Sequence, residues 1–358
     1  MKLPNTDIVT VKCNSKSAGR MALSPEGLLV FEYDPDWLQH GFSLSPFFLP
    51  LKAGAFTARR NPFQGNFGVF ADSLPDGWGN LLLDRLLRKH GINPHSLTII
   101  QRLSLVGNNG MGALSYEPAA IMPELQSLTD LNEIASEIKE ILGDRTYTNS
   151  VDELYRQAGS LAGARPKVLV MHEGEHWLVK FPSAIDSQNI GEIEFEYSQH
   201  ARRAGIEMPE TRLFEGKYFG VKRFDRSDSE RIHMISAAGL LNADFRLPSL
   251  DYTELIKATR ALTGSVKEVE KMFRLMVFNV MIGNKDDHAR NFSFIYANNE
   301  WKCSPAYDLL PSDGMNGEHC TALAGNGKPN VDDVIKVADL CSIDKKKAKE
   351  IVDEVYNV

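Results

Sequence analysis

Hydrophobic and polar positions along the first 115 residues predict a small β-rich subdomain with one helix. Two apolar runs, Met21–Leu23 and Leu28–Tyr33, flank the sequence SPEG, whose proline and glycine favour a type I turn between two strands. The stretch Leu81–His90 instead repeats its apolar positions at helical spacing, and Gly91 directly after it favours the end of that helix. We therefore expect residues 1–115 to form a subdomain of their own.

The remaining residues change from a strand-rich pattern to a helical one. Residues 116–225 contain strand-like apolar runs, a predicted helix over Glu192–Ala204 and the hairpin-like stretch TRLFEGKYFGVKRF. Beyond them helices dominate, and the sequence SVKE that begins at Ser265 is a capping box that opens a helix. This order predicts an α+β fold of two lobes, one β-rich (116–225) and one α-helical (226–358), with a cleft between them.

Composition and charge narrow the class of protein. The 358 residues, 43% of them hydrophobic, suffice for two or three packed units at about 150 residues each. A net charge of -7 disfavours a broad basic surface for nucleic acid. None of the four cysteines forms a C-x-x-C pair, and no apolar run is long enough for a secretory signal or a membrane span. We therefore expect a cytoplasmic protein without a zinc site.

The strongest chemical signal is the segment DDHARN at residues 286–291. Asp286 and Asn291 are five positions apart, which is the spacing of the base aspartate and the metal-binding asparagine in a protein-kinase catalytic loop. That spacing lets the aspartate face a substrate hydroxyl while the asparagine faces a magnesium ion on the phosphates. A predicted helix precedes the segment and a predicted strand, Phe292–Tyr296, follows it. We interpret Asp286 as the catalytic base and Asn291 as a Mg²⁺ ligand.

Three further positions complete a kinase-like order. Asp308, 22 residues after Asp286, follows a pair of short predicted strands, where kinases carry another magnesium ligand. Lys180 lies in the strand-like stretch HWLVKF and would neutralise the α- and β-phosphates of ATP, with Glu194 in the next helix as the acid that orients it. Taken singly, each residue also fits a turn cap, an exposed strand lysine or a solvated helix face. Order and spacing together favour a kinase.

The segment GSLAGARPK, residues 159–167, is rich in small residues that let backbone N–H groups approach a phosphate closely. It matches neither common glycine-rich nucleotide motif, and by itself a flexible connector would explain it. It stands before the lysine strand, however, where a phosphate-binding loop is needed. We therefore count Gly159, Ser160 and Gly163 among the candidate ATP-binding residues.

These stretches, taken in order, resemble the HipA family of serine/threonine kinases. The resemblance covers most of the chain: the loop GSLAGARPK, the lysine strand HWLVKFP, the hinge VKRFDR, the catalytic loop NKDDHARNFSF and the metal-aspartate segment SPAYDLLP. Two earlier stretches, FADSLPDGWGN and GNNGMGALSYEP, resemble signature stretches of the family's N-terminal subdomain. The chain is shorter than the longest relatives, chiefly in the C-terminal helical lobe.

The resemblance implies an ATP- and Mg²⁺-dependent protein kinase of bilobal, protein-kinase-like fold, acting as the toxin of a toxin–antitoxin pair. Ser160 would be the serine that such kinases autophosphorylate, which ejects the loop and blocks ATP binding. The implied partners are a cytoplasmic protein substrate of the aminoacyl-tRNA synthetase class and a small helix-turn-helix repressor, through which alone the chain would meet DNA. Further ATP-binding roles are implied for the end of the phosphate loop and for the hinge: Lys167, Lys222, Arg223, Phe224 and Asp225.

Two alternatives stay open. A metal-dependent phosphohydrolase would build a two-metal site from Asp286, Asp287, His288 and Asp308, but it would leave the lysine strand and the small-residue loop without a role. A non-catalytic pseudokinase that augments a repressor would bind ATP without transferring phosphate. The complete set of kinase residues disfavours this second alternative.

Overall fold

The computed structural model describes residues 1–121, 130–143, 151–158, 161, 163–227 and 230–358. These residues divide into two compact units. The first unit comprises Met1–Leu44, Phe48–Glu192 and Arg212–His233, and the second comprises Ser45–Phe47, Ile193–Thr211 and Met234–Val358. The first unit thus contains both the predicted N-terminal subdomain and most of the predicted β-rich lobe, so a boundary at residue 115 stays a prediction. In the described ranges no helix is long and apolar enough to cross a membrane.

The first unit begins with a five-stranded antiparallel sheet in the order β4-β3-β2-β1-β5. The predicted pair of strands is confirmed, and the turn between them is closed by a 2.9 Å hydrogen bond from the Gly27 N–H to the Ser24 carbonyl. Buried and less buried positions alternate along the first strand, as expected for a sheet with one face on a core. The strands are β1 Ile8–Cys13, β2 Lys16–Leu23, β3 Leu29–Tyr33, β4 Ala55–Thr57 and β5 Leu114–Glu117.

The described part of the first unit has six α-helices, which lie between β3 and β6 in the chain order. The helix predicted over Leu81–His90 exists but begins at Gly77, because the glycine-rich sequence before Leu81 also takes helical backbone. Asp130 starts another helix by accepting hydrogen bonds from two backbone N–H groups. The sequence SVDE at residues 150–153 also predicts a helix start, and Ser150 itself lies outside the described residues. The helices are α1 Pro35–His40, α2 Gly68–Ala71, α3 Gly77–Lys89, α4 Ile99–Val106, α5 Leu131–Leu142 and α6 Val151–Ala158.

A second sheet of the first unit carries the predicted lysine strand. Its strand order is β6-β7-β9-β8, with β6 Lys167–His172, β7 Glu175–Lys180, β8 Thr211–Phe214 and β9 Tyr218–Lys222. One hydrophobic core joins this sheet to α3, α5 and α6, and its centre includes the buried residues Trp78, Leu82, Ile134, Leu154 and Val179. The helix of the N-terminal stretch and the lysine strand therefore fold around the same apolar core.

The second unit is mainly helical, as predicted. Ser265 caps its longest helix by accepting a hydrogen bond from the Glu268 N–H, and Gly283, with φ +67°, ends it, which confirms the predicted helix start. The Glu268 carboxylate accepts from the Cys303 N–H instead, and the Ser265 N–H donates to Thr263, so the second half of the predicted capping box does not form. The sequence also predicts helix over Val331–Tyr356, and the structure has two helices there, because Ser342 takes a left-handed φ of +53° between them. The elements are α7 Ile190–Arg203, which begins in the first unit, β10 His233–Ser236, α8 Ala237–Leu241, β11 Leu250–Asp251, α9 Tyr252–Thr263, α10 Val266–Ile282, β12 Ser293–Ala297, β13 Glu300–Cys303, β14 Thr321–Ala322, α11 Val331–Leu340 and α12 Lys345–Tyr356.

Candidate active site

Asp286 and Asn291 lie on the loop that connects α10 to β12 in the second unit. The loop ends in a 3₁₀ turn, Ala289–Asn291, which bends the chain before β12. The side-chain amide of Asn291 donates a 2.7 Å hydrogen bond to the Asp286 carbonyl, so the two predicted residues are tied across the loop. The Asp286 side chain is exposed, and Asn291 is half-buried. The loop thus presents a carboxylate to solvent beside an amide whose nitrogen is already bound.

Asp308 lies on a second segment that is hydrogen-bonded to this loop. The Asn284 amide donates to the Asp308 carbonyl at 3.2 Å, and the Asp286 N–H donates to the Ser312 hydroxyl at 2.7 Å. The Ser312 N–H in turn donates to the Gly283 carbonyl at 3.1 Å. The structure therefore brings the predicted base and both predicted metal ligands, which span 22 residues from Asp286 to Asp308, into one region of the second unit. Their chemical roles stay predictions.

The backbone of Asp308 is unusual. Its φ of +54° is left-handed, a conformation that residues other than glycine rarely adopt and that often marks functional positions. Within the described ranges, no group of three or more His, Cys, Asp or Glu side chains could hold a metal ion. Mg²⁺, however, is usually bound by one or two protein oxygens, waters and the substrate phosphates. Asn291 and Asp308 fit a site of that kind, which the nucleotide itself would complete.

Asp287, next to the predicted base, has a different environment. It is fully buried, and its carboxylate accepts hydrogen bonds from the Tyr252 hydroxyl at 2.8 Å, the His319 ring at 2.9 Å and the Thr321 N–H at 3.1 Å. From the sequence alone, Asp287 is a candidate only as a metal ligand of the phosphohydrolase alternative. Because three donors occupy its oxygens away from solvent, this arrangement disfavours that alternative. The pair of adjacent aspartates contains one exposed and one buried member.

On the first unit, Lys180 and Lys167 are direct partners across the antiparallel pair β6–β7. Directly opposite residues point to the same face of a sheet, where like charges repel each other. Lys167 is buried, and a side-chain carbon placed on Gly163 would lie 2.5 Å from its ammonium nitrogen. The structure therefore places the two lysines on one sheet face, with the Lys167 ammonium next to Gly163. Glu194 is buried on α7 of the second unit, and its pairing with Lys180 stays a prediction.

Gly163 is held by residues of the N-terminal stretch FADSLPDGWGN, for which the sequence predicts no binding or catalytic role. Its N–H donates to the Asp76 carboxylate, and its carbonyl accepts from the Trp78 N–H at 3.1 Å. A side-chain carbon on Gly77 would lie 2.6 Å from the Ala164 Cα, so only glycine permits this close approach. The glycine, aspartate and proline residues of this stretch, which are typical of turns, were the only sequence signal that pointed to it. Gly159 and Ser160, including the predicted phosphorylation site, lie outside the described residues.

The predicted hinge follows β9. Lys222 pairs with Glu175 at 2.8 Å on the sheet, and Phe224 is half-buried. Arg223 binds Asp225 in a bidentate geometry at 2.8 and 2.7 Å, and both side chains are buried. Burial alone would raise the pKa of Asp225, but the charge and hydrogen bonds of Arg223, the charge of Arg226 and the Gly112 N–H hold it below its usual value. The ATP-binding roles of the hinge stay predictions.

Two further arginines fasten the hinge to the second N-terminal signature, GNNGMGAL. Arg226 donates to the Gly110 and Gly112 carbonyls at 3.0 and 3.1 Å as well as to Asp225 at 2.8 Å. Arg231 donates to the same two carbonyls at 2.8 Å each and also reaches the carbonyls of Asn108 and Leu114. The N-terminal signature therefore contacts the hinge directly through an ionic cluster, which no local sequence pattern revealed.

Comparisons with known proteins agree with the resemblance seen in the sequence. A family model described as the HipA-like C-terminal domain matches residues 159–358, and one described as the HipA N-terminal domain matches residues 9–117. The putative kinase Y4dM of Sinorhizobium fredii is 31% identical over 42% of this chain, an alignment that spans 41% of that relative's length. The serine/threonine-protein kinase toxin HipA of Shewanella oneidensis is 24% identical over 78% of this chain and 69% of its own.

A solved structure extends the likeness to the whole fold. The structure of Shewanella oneidensis HipA with HipB and its operator DNA contains a chain that covers 97% of this one, with 88% of its own length matched, a TM-score of 0.74 and 18% identity. At this identity the comparison establishes the fold. The predicted α+β, protein-kinase-like fold class is therefore confirmed.

Proposed function

This chain belongs to the HipA family, and from that premise we propose that it is an ATP- and Mg²⁺-dependent serine/threonine protein kinase. One observation carries the proposal: the loop with Asp286 and Asn291 is hydrogen-bonded to the segment with Asp308. A kinase needs a base for the substrate hydroxyl and two oxygen ligands for magnesium at one place. The relatives named as kinases support the same assignment.

In the proposed reaction the hydroxyl oxygen of a serine or threonine attacks the γ-phosphorus of ATP. The bond between that phosphorus and the β–γ bridging oxygen breaks, and ADP leaves. Asp286, exposed at the loop surface, accepts the hydroxyl proton. Asn291 and Asp308 would hold Mg²⁺, which when bound neutralises charge on the phosphates. The protein contributes mainly by holding these oxygens in fixed positions.

The first unit supplies the proposed phosphate contacts. Lys167 and Lys180 share one sheet face, and this arrangement of like charges is favourable once an anion lies over it. Backbone N–H groups of the small-residue loop would approach the phosphates, with Gly163 held by the Asp76 and Trp78 contacts. The adenine would lie at Lys222, Arg223 and Phe224. Because the Arg223 and Asp225 side chains pair with each other, backbone groups are the better candidates for the adenine contacts.

We further propose that the protein is the toxin of a toxin–antitoxin pair. The structural relative is a HipA bound to HipB and operator DNA, which supports a small repressor as partner and DNA contact through it. The proposed substrate is a cytoplasmic protein, with the aminoacyl-tRNA synthetases as the class to test first. Autophosphorylation of Ser160 would add about two negative charges beside the phosphate loop and oppose ATP binding.

A labelling experiment tests the proposed function. The protein is incubated with γ-³²P-ATP, Mg²⁺ and a cell lysate, and labelled proteins are identified by mass spectrometry. We expect phosphoserine or phosphothreonine on a lysate protein and on Ser160 of the kinase itself, with no Ser160 label in Ser160→Ala. Release of free phosphate with no labelled protein would favour the phosphohydrolase, and ATP binding without transfer would favour the pseudokinase.

A further inference from the structure

Beneath the catalytic loop lies a network of buried polar side chains that the proposed reaction does not use. Its members come from four separate parts of the second unit: the start of α9, the end of α10, the catalytic loop and the segment around β14. At most 5% of the surface of any member is exposed. The members are Tyr252, Asn279, Asn284, Asp287, His319 and Thr321.

The hydrogen bonds of the network run without a break from the Asp308 backbone to Asp287. The Asn284 amide donates both to the Asp308 carbonyl at 3.2 Å and to the Asn279 amide oxygen at 3.1 Å. Asn279 donates to the Tyr252 hydroxyl at 2.9 Å, and that hydroxyl donates to Asp287 at 2.8 Å. One chain of donors and acceptors therefore connects the predicted metal ligand to the neighbour of the predicted base.

The segment around β14 holds Asp287 from its other side. The His319 ring and the Thr321 N–H donate to its carboxylate, and the Thr321 hydroxyl donates to its main-chain carbonyl. The Cys320 N–H donates to the Lys285 carbonyl at 3.0 Å, so the loop is bound on both sides of Asp286. Burial, and next the charge of Asp287, raise the pKa of Tyr252 well above its usual value, so its hydroxyl stays a donor.

We propose that Asp287 is a positioning residue, which fixes Asp286 and Asp308 relative to each other through this network. The inference rests on the proposed kinase function. Buried carboxylates are costly unless every oxygen has a partner, and a satisfied network allows a single arrangement of the groups it joins. The Asp286 N–H donates to the Ser312 hydroxyl, so the backbone position of Asp286 is set by the loop that Asp287 anchors. Misplacement of reacting groups by about 1 Å costs on the order of 100-fold in rate.

The test uses the full chain with Asp287→Asn, which keeps the size of the side chain but places an amide among the donors. Phosphate transfer from γ-³²P-ATP to the substrate identified by labelling is measured at saturating ATP, and binding of the non-hydrolysable analogue AMP-PNP with Mg²⁺ is measured by calorimetry. We expect the turnover number to fall about 10–100-fold, as for other residues that orient reacting groups. The dissociation constant of the nucleotide should rise by a smaller factor than turnover falls, because a displaced Asp308 weakens the Mg²⁺ contact while the proposed phosphate-binding lysines are untouched.

Two further variants separate positioning from folding. Asp251→Asn is the matched control: this carboxylate also accepts backbone N–H groups, from Thr253, Ala324 and Gly325, but does not touch the catalytic loop. Its turnover should stay within about twofold of the wild type. Tyr252→Phe removes one donor with little change of shape and should lower turnover less than Asp287→Asn. Combined with Asp287→Asn it should add little, because residues of one network are non-additive.

The possible outcomes distinguish the two proposals. If the wild type transfers phosphate and folded Asp287→Asn does so within twofold, the positioning role is wrong and the kinase assignment stands. If Asp287→Asn fails to fold, the role is decided by Tyr252→Phe, which must lower turnover by a larger factor than it weakens nucleotide binding. Equal losses of turnover in Asp251→Asn and Asp287→Asn would show that the loss comes from general destabilisation and would contradict the positioning role. A wild type that labels no protein overturns the kinase function and this inference with it.

Discussion

Asp225 in the first unit and Asp287 in the second are both completely buried, yet opposite kinds of partner stabilise them. Asp225 binds the guanidinium groups of Arg223 and Arg226, whereas Asp287 binds a hydroxyl, an imidazole and a backbone N–H. The ionic cluster holds a hinge against a distant loop, 113 residues away, through the Gly112 N–H. The network of hydroxyl, amide and ring groups around Asp287 holds two loops that carry the candidate reacting groups. The arginine cluster should therefore govern stability, and the network below the candidate catalytic loop should govern rate.

The largest stability effect that the comparison predicts is at Asp225. Asp225→Asn leaves buried arginines without their counter-charge, and breaking one side of a buried ion pair costs about 3–5 kcal/mol of unfolding free energy. Asp244→Asn is the matched control, because Asp244 and Arg246 form a pair of the same spacing on the surface, with Arg246 50% exposed. An exposed pair contributes only about 0–1 kcal/mol. Urea unfolding of both variants measures the difference, and equal losses would contradict the contrast between buried and exposed pairs.

The candidate catalytic residues could be picked out in the sequence because their spacing is local. Asp286 and Asn291 lie five residues apart on one loop, and the helix before it was readable from the capping box at Ser265. The role of Asp287 could not be read in this way. Its partners Tyr252 and His319 lie 35 and 32 residues away, and nothing in the DDH sequence shows which aspartate faces inward.

The N-terminal contacts were also beyond the sequence pattern. The glycines of FADSLPDGWGN, the stretch before Leu81, are typical of a turn. In the structure, however, this stretch starts α3 and holds Gly163 through Asp76 and Trp78. Hydrophobic periodicity predicts which face of an element is buried, but it does not specify which distant loop covers that face. For the same reason the strand orders of the sheets and the arginine cluster at the hinge became visible only in three dimensions.

A smaller effect should appear as a dependence of stability on pH. Because the folded-state pKa of Asp225 lies below its unfolded value of about 3.9, its contribution is complete above that value and is lost as the pH falls through the folded pKa. The difference in unfolding free energy between wild type and Asp225→Asn should therefore be constant from pH 7 to about 5 and shrink below about pH 4. The buried His233, whose pKa is lowered to about 4, is present in both proteins and cancels. A difference that grows on acidification would contradict the ionic account.

The most direct test of the central claim compares wild type with Asp286→Ala in phosphate transfer and in nucleotide binding. Removing a general base typically costs about 10²–10⁴-fold in rate, whereas the proposed phosphate-binding lysines of the first unit remain intact. We predict that γ-³²P transfer to protein falls by this factor while the affinity for AMP-PNP with Mg²⁺ changes only a few-fold. An Asp286→Ala protein that transfers phosphate at close to the wild-type rate would contradict the assignment of the base.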